Sequence, residues 1–481
     1  MSGDYVSKHE EDGLKAPANP RERLHAPVGT IHRTIELLRA SLVDLGAAMP
    51  LSEVERLGIL INEAMSATGR SFHTPQHVLD LADPESPHTT LAALFHDLVY
   101  YQVDHGLHPQ FSAALSTTIE SRERRLWLRP GADTADRALA LSMGVFGLSS
   151  GQRLEPSGGM NEFLSALVMN RSLAAAVQEA DLMLSTACIE ATIPFRTTDA
   201  EGRTPAELLE LRLARTAKDM GIELSDGRIR QGVRWAVTFA NRDVANFAEK
   251  EVTSFLDNTW KLLPETNPSL RTQGVYSIRS YRVALQGMEG FLRTLDPGTI
   301  FAQYRDAPPA DEYRRMVLRG ERNVRTAREY LGIKLLTAAI LEGLAQISGG
   351  DAPVAFFMGE LDARQRGSRL EDYLPADHLP AELPLDAALL DLLSKGRASA
   401  SPFDLQNSPL SLFIYLRLGT GGFRRHLGDA YRLFDGTLPP GAFLDQLPGA
   451  MIAAIARACA HMAFTRAHAL IGYADSRSAR T

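Results

Sequence analysis

The chain of 481 residues is long enough for two or three domains with sizeable cores, and a composition of 44% hydrophobic and 23% charged residues excludes wholesale disorder. A net charge of −7 supplies no general attraction for nucleic acid or an anionic membrane, while the preponderance of arginine over lysine biases any local basic patch toward bidentate anion contacts. Two cysteines, Cys188 and Cys459, lie far apart in helical contexts, which excludes a disulfide framework and points to a reducing cytoplasm.

Residues 1–28, polar and interrupted by Pro17, Pro20 and Pro27, read as a mobile tail without the apolar core of a signal peptide. Helices are expected over residues 31–45 and 52–67, the second capped by Ser52 after Pro50, and they deliver the chain to Arg70. Arg70 reads as an ordinary surface arginine, with a phosphate contact as the alternative.

Residues 71–109 hold six of the 13 histidines, a density that points to a metal site, because imidazole is the commonest protein metal ligand. Thr74 suits an N-cap and Pro75 the first helical position, so a helix begins there with His77 in its first turn and His73 just outside it. Both rings then face one pocket near the positive end of a helix dipole, which favours phosphate. A second helix is expected over residues 89–101, apolar apart from His96 and Asp97. An adjacent His and Asp are costly to bury unpaired, and a divalent cation satisfies both. His88, His105 and His108 read as loop residues beside Pro and Gly.

Further helices are expected over residues 111–128, with Arg122, Arg124 and Arg125 on a solvated face, over 134–143 and over 161–173. Gly144 to Gly159 reads as a Gly/Ser-rich loop, followed by a helix holding Asp181. A domain boundary falls between about residues 198 and 228. Long helical patterns follow over 231–263, 277–295 and 310–347, then 385–393, 410–418 and 450–473. Residues 353–358 read as a short strand or a buried helix, and 374–385 as a Pro-rich linker. The arginines of 312–330 read as an exposed helix face, and Gly419, Gly421 and Gly422 before Arg424 and Arg425 as an interhelical loop, with an anion cradle as the weaker reading. The most apolar windows, 335–347 and 451–470, carry Glu342 or Arg457, His461, Arg466 and His468, and so read as buried core helices and not membrane spans.

The string Phe72-His73-Thr74-Pro75-Gln76-His77, with Phe95-His96-Asp97-Leu98-Val99-Tyr100 after it, resembles the HD superfamily of metal-dependent phosphohydrolases. The pattern looks closest to a bacterial group of predicted HD phosphohydrolases and is similar to the metal-site segment of cyclic-nucleotide phosphodiesterases. Ligands in that superfamily follow the order His, then His-Asp together, then a distant Asp. The resemblance implies His77, His96 and Asp97 as metal ligands, His73 as the general acid, and Asp181 as the last ligand. It covers roughly residues 30–200. Two departures stand out. Where the bacterial group usually has Asn-Glu a few residues after the Tyr, this chain has His108-Pro109-Gln110, and no histidine lies between His108 and His378 to supply a Thr-x-x-His element. A single metal is therefore expected.

The expected protein is all-α: an HD-domain helical bundle over residues 29–210 followed by a second helical domain over 211–481. The resemblance implies hydrolysis of a nucleotide or other small phosphoester, with catalytic His73 and Asp97 and a divalent ion (Mn, Mg, Fe, Ni or Zn) on His77, His96, Asp97 and Asp181. A small phosphorylated substrate is the expected partner, with no membrane and no strong nucleic-acid signal, and an oligomer stays open. The alternative is a non-catalytic nucleotide- or metal-binding signalling or scaffold protein built on the same site.

Overall fold

The computed structural model describes residues 29–478 except 124, 132–135, 273, 360–366, 377–382 and 402. The tail expected over residues 1–28, Arg124, Thr134 and part of the expected 374–385 linker lie outside the described residues. The chain is 67% helical with 4% strand, so the fold is all-α, as expected.

Helices α1 (Thr30–Asp44) and α2 (Leu51–Met65) pack face to face. On α1 the buried Thr34, Leu38, Ser41 and Leu42 recur at helical spacing, and α2 answers with Val54, Leu57 and Ile61. Ser52 does not cap α2: the helix starts one residue earlier, after Pro50. Next come α3 (Pro75–Leu81), with Thr74 and Pro75 at its start, and α4 (Pro87–Phe95). The second of these stops short of the expected residue 101, so His96 and Asp97 sit in the turn that leaves it and not inside it.

The helix expected over residues 111–128 is replaced by α5 (Pro109–Leu115) and a hairpin of β1 (Ile119–Arg122) and β2 (Arg125–Leu128). Ile119 pairs with Leu128 and Arg122 with Arg125. Alternation in β2 fits the change: Leu126 and Leu128 are buried while Arg125 is exposed and Trp127 half-buried, a period of two, and Ile119 of β1 is buried opposite Leu128. A helix α6 (Arg137–Phe146) follows, then β3 (Arg153–Leu154) against β2, and α7 (Met160–Leu173) and α8 (Glu179–Ala191).

Buried apolar side chains form two clusters, one running from Leu38 to Phe239 with Tyr304, the other from Phe255 to Ala474. The first reaches well past residue 210, because α9 (Pro205–Met220) and α10 (Asp226–Asp243) bury Leu209, Leu213, Val233 and Val237 in it. The single helix expected over 231–263 is broken. Helix α10 ends at Asp243, a short 3₁₀ turn covers Ala245–Ala248, and α11 (Val252–Thr266) starts the second cluster. There α12 (Ile278–Thr294) lies against α13 (Ala310–Ser348), whose exposed, arginine-rich first part gives way to a buried apolar second part. Helix α13 is long and apolar enough to cross a membrane, yet 83% of its apolar window is buried inside the fold. The remaining helices are α14 (Val354–Met358), α15 (Ala387–Lys395), α16 (Pro409–Phe434), α17 (Pro440–Asp445), α18 (Gly449–Met462) and α19 (Ala467–Ser478). Residues 354–358 are thus helical, and α16 is two helical segments that meet at Gly419, whose φ of 61° and ψ of 176° are not helical, so the expected 410–418 helix ends there while Gly421 and Gly422 lie in the second segment.

Candidate metal centre

Four side chains from three segments converge. His77 comes from the first turn of α3, His96 and Asp97 from the turn after α4, and Asp243 from the last position of α10. Donor atoms of His77, His96 and Asp243 all lie within 4.8 Å of one another. His77 Nε2 is 3.3 Å from Asp243 Oδ1 and 3.7 Å from Asp97 Oδ2. His96 Nε2 is 3.6 Å from Asp243 Oδ1 and 2.9 Å from Asp97 Oδ2, the latter off any hydrogen-bond direction. Both Nε2 atoms are buried without a hydrogen-bond partner. His96 Nδ1 lies 2.9 Å from the carbonyl of Ala93 and donates to it, which orients Nε2 toward the carboxylates.

Electrostatics bind the group together. Burial pushes the Asp97 carboxyl up, but the rings of His96, His73 and His77 outweigh it and hold the group well below the usual carboxylate range. Asp243 is held down in the same way by His77 and His96 against the effect of burial. Burial disfavours the charged form of His96, yet Asp97 and Asp243 raise its pKa well above that of free imidazole. Two carboxylates neutralised by histidine protons form a donor set that a divalent ion fits, since binding it releases those protons and occupies the unpartnered nitrogens.

His73 sits beside this group. Its Nε2 is 3.9 Å from Asp97 Oδ2, its ring meets Tyr100 edge-on at 4.9 Å, and its Nδ1 lies 2.7 Å from Glu265 Oε2. The other oxygen of Glu265 accepts the backbone N–H groups of Ser71, Phe72 and His73 at 2.7, 2.7 and 3.0 Å. One carboxylate from α11 therefore fixes both the loop and the ring. Burial lowers the His73 pKa, and Asp97 and Glu265 more than reverse that.

Asp181, the carboxylate expected as the last ligand, is not brought to this group. Its Oδ1 accepts from His88 Nε2 at 2.9 Å and faces Arg228 Nη2 at 3.5 Å, while His88 stacks on Trp235 with 4.8 Å between ring centres. His88 is accordingly a buried residue that ties α4 to α8 and α10, and not a loop histidine. Asp243 is the carboxylate that stands beside the two imidazoles instead. Its signal in the sequence is its position seven residues beyond Ala236 and four beyond Phe239, on the apolar face of α10.

Arg70 is structural. Its buried guanidinium holds Asp104 at 3.0 and 2.6 Å and donates to the carbonyls of Asp97 and Leu98 at 2.7 and 3.3 Å, bracing the turn that carries Asp97. Helix α7 braces the other side: Ser165 Oγ accepts from Val99 N at 3.0 Å and Asn161 Oδ1 from Tyr101 N at 3.1 Å. Beside Asn161, the Glu162 carboxyl has a buried, unpartnered oxygen, and burial, with Asp97 and Asp243 adding to it, pushes its pKa up to about 7. Asn161 and Glu162 thus stand together behind that turn. Compared with protein-family models, curated proteins and solved structures, the chain gives no match.

Proposed function

We propose that the chain is a metal-dependent phosphohydrolase of a nucleotide or another small phosphoester, with one divalent cation (Mn, Mg, Fe, Ni or Zn) on His77, His96, Asp97 and Asp243. The observation that carries this reading is the convergence of two unpartnered imidazole nitrogens and two carboxylates from three segments. Such donors suit these ions, and two half-buried carboxylates face the same pair of imidazoles. A cation bound there supplies Lewis acidity toward a phosphoryl oxygen and acidifies water. The chain's own residues do the rest. Asp243 and Asp97 offset the ion's charge, His96 is oriented by the Ala93 carbonyl, and His73 is held by Glu265 with Nε2 toward the centre. In its protonated form His73 donates its Nε2 proton to the leaving oxygen, which spares the product an unstabilised alkoxide.

The test is metal content of protein purified without chelator, for wild type and for Asp97→Ala, Asp243→Ala and Asp181→Ala. The same samples are run on aryl phosphates, nucleoside monophosphates and cyclic nucleotides. About one metal per chain, lost together with hydrolysis in the first two variants and kept in the third, is the expected result. Metal without turnover of any phosphoester would replace the enzyme with a non-catalytic binding protein, and wild type without metal would overturn the site.

A further inference from the structure

Where α16 packs on α13, an open groove of about 270 Å³ carries three arginines in its walls, Arg325 and Arg328 from α13 and Arg424 from α16. Arg325 and Arg328 stand one turn apart on one side of their helix, a spacing at which like charges repel. Both are exposed, and neither has a hydrogen bond or an ion pair among the described residues. Two carboxylates share the groove. Glu329 accepts from Arg424 Nη2 at 2.7 Å, while Glu289 accepts from the Tyr431 hydroxyl at 2.6 Å and has Arg293 Nη1 at 3.8 Å. Four guanidinium groups therefore face two glutamates, which leaves a surplus of two positive charges even with both glutamates ionised. Arginine keeps its proton throughout the range in which proteins fold, so the surplus does not depend on the protonation state of any other group.

We propose that this groove binds the dianionic phosphate of a small phosphomonoester. The planar guanidinium fork matches a pair of phosphoryl oxygens, and arginines on two helices take one phosphate from two sides. A phosphomonoester brings two negative charges to meet the surplus of two, where a phosphodiester brings one. At about 270 Å³ the groove lies just below the usual range of small-molecule sites, roughly 300–1,000 Å³, so the phosphate carries only a small organic part, which meets the apolar part of the lining, Phe423 and Leu427. No residue of the proposed metal centre lines the groove, so the site is independent of the hydrolase reading.

Isothermal titration of the full chain with methyl phosphate and dimethyl phosphate, at pH 8 and constant low ionic strength, tests this. At that pH the monoester is a dianion, its second pKa being about 6, and the diester a monoanion. One saturable methyl phosphate site per chain is expected in wild type stripped of metal and in Asp97→Ala alike, with the diester at least about tenfold weaker. Arg325→Gln and Arg328→Gln, which release no partner and so fold, are each expected to weaken binding about tenfold, the value of one lost hydrogen bond to a charged group. Arg315→Gln, which removes a charge from the exposed part of α13 outside the groove, is expected to leave the affinity unchanged. Absence of saturable binding in the metal-stripped protein, equal binding of the diester, or unchanged affinity in both groove variants would each overturn the proposal. An equal loss in Arg315→Gln would overturn it too, by reducing the groove to part of a diffuse positive field.

Discussion

Glu265 shows how much one residue carries. Its carboxylate accepts four N–H groups at once, three from the backbone of residues 71–73 and one from His73 Nδ1. Glu265→Gln cannot keep all four. If the amide oxygen retains the backbone donors, the NH₂ group meets His73 Nδ1, which must then accept, and the proton of the neutral ring moves to Nε2. Nitrogen-15 NMR of histidine-labelled protein should record that tautomer change, with metal content unchanged and hydrolysis reduced on the order of 10²–10⁴-fold, the usual contribution of general acid–base catalysis. Hydrolysis at the wild-type rate would remove Glu265 from the mechanism. The residues at the centre also differ in how readable they were. His77, His96 and Asp97 fall within twenty-one residues of one another, so their order and flanks could be read locally. Asp181 and Asp243 are both acidic residues at the ends of amphipathic helices. Only the packing of α10 beside α4, with Phe239 edge-on to His96 at 5.6 Å, brings Asp243 and not Asp181 to the imidazoles. Glu265 and Glu162 lay hidden for the same reason, since what they touch is remote in sequence.

Among elements, helices with one apolar stripe were legible to within a residue or two, as α12 and α13 show, because period 3.6 is a local property. The hairpin was missed where alternation is short, and the break between α10 and α11 was missed because no Pro or Gly marks it. Close packing is set at the same scale. A Cβ on Gly58 of α2 would lie 2.5 Å from Ile35 Cγ1 and 3.3 Å from Ile35 Cα, so α1 would have to move. Overpacking costs about 1–3 kcal/mol. Helix propensity returns up to about 1 kcal/mol. Gly58→Ala should therefore lower stability by about 1–2 kcal/mol, read as a lower urea midpoint. Helix α6 offers a pH-dependent case. Asp136 caps it by accepting from Leu139 N at 3.0 Å and holds Arg171 at 2.6 and 3.1 Å. Burial is the largest single influence and raises the Asp136 pKa, but the Leu139 N–H and Arg171 together outweigh it, so the carboxyl sits below its usual value. Its contribution is present above the unfolded pKa of about 3.9 and is lost as pH falls through the folded value. Asp136→Asn keeps the cap acceptor but not the charge. It should be less stable than wild type by about 1 kcal/mol between pH 5 and 8, with the difference closing below about pH 4.

At the scale of the whole molecule, the two apolar clusters meet where α11 clamps the loop that carries His73. Ser71 Oγ donates to the carbonyl of Lys261 at 2.6 Å, and Arg271 holds the end of α11 through the carbonyls of Pro264 and Glu265 at 2.9 and 3.2 Å. Gly69 lets the loop approach. A Cβ there would lie 2.7 Å from the Val103 carbonyl oxygen and 2.9 Å from Arg271 Nη2. The backbone oxygen has little room to give, so Gly69→Ala must shift the loop away from Val103 and strain its contacts with α11, at a cost of about 1–3 kcal/mol. The proposed metal ligands are on other segments: His77 on α3, His96 and Asp97 after α4, and Asp243 on α10. Displacing the loop should therefore move His73 away from the centre while the cation stays. Gly69→Ala is expected to keep wild-type metal content, to unfold at lower urea, and to lose hydrolysis toward substrates with poor leaving groups, which need the proton, far more than toward activated aryl phosphates, which do not. Metal content falling in step with hydrolysis would mean that the loop supports the metal centre itself, and that the second cluster does more than aim one histidine.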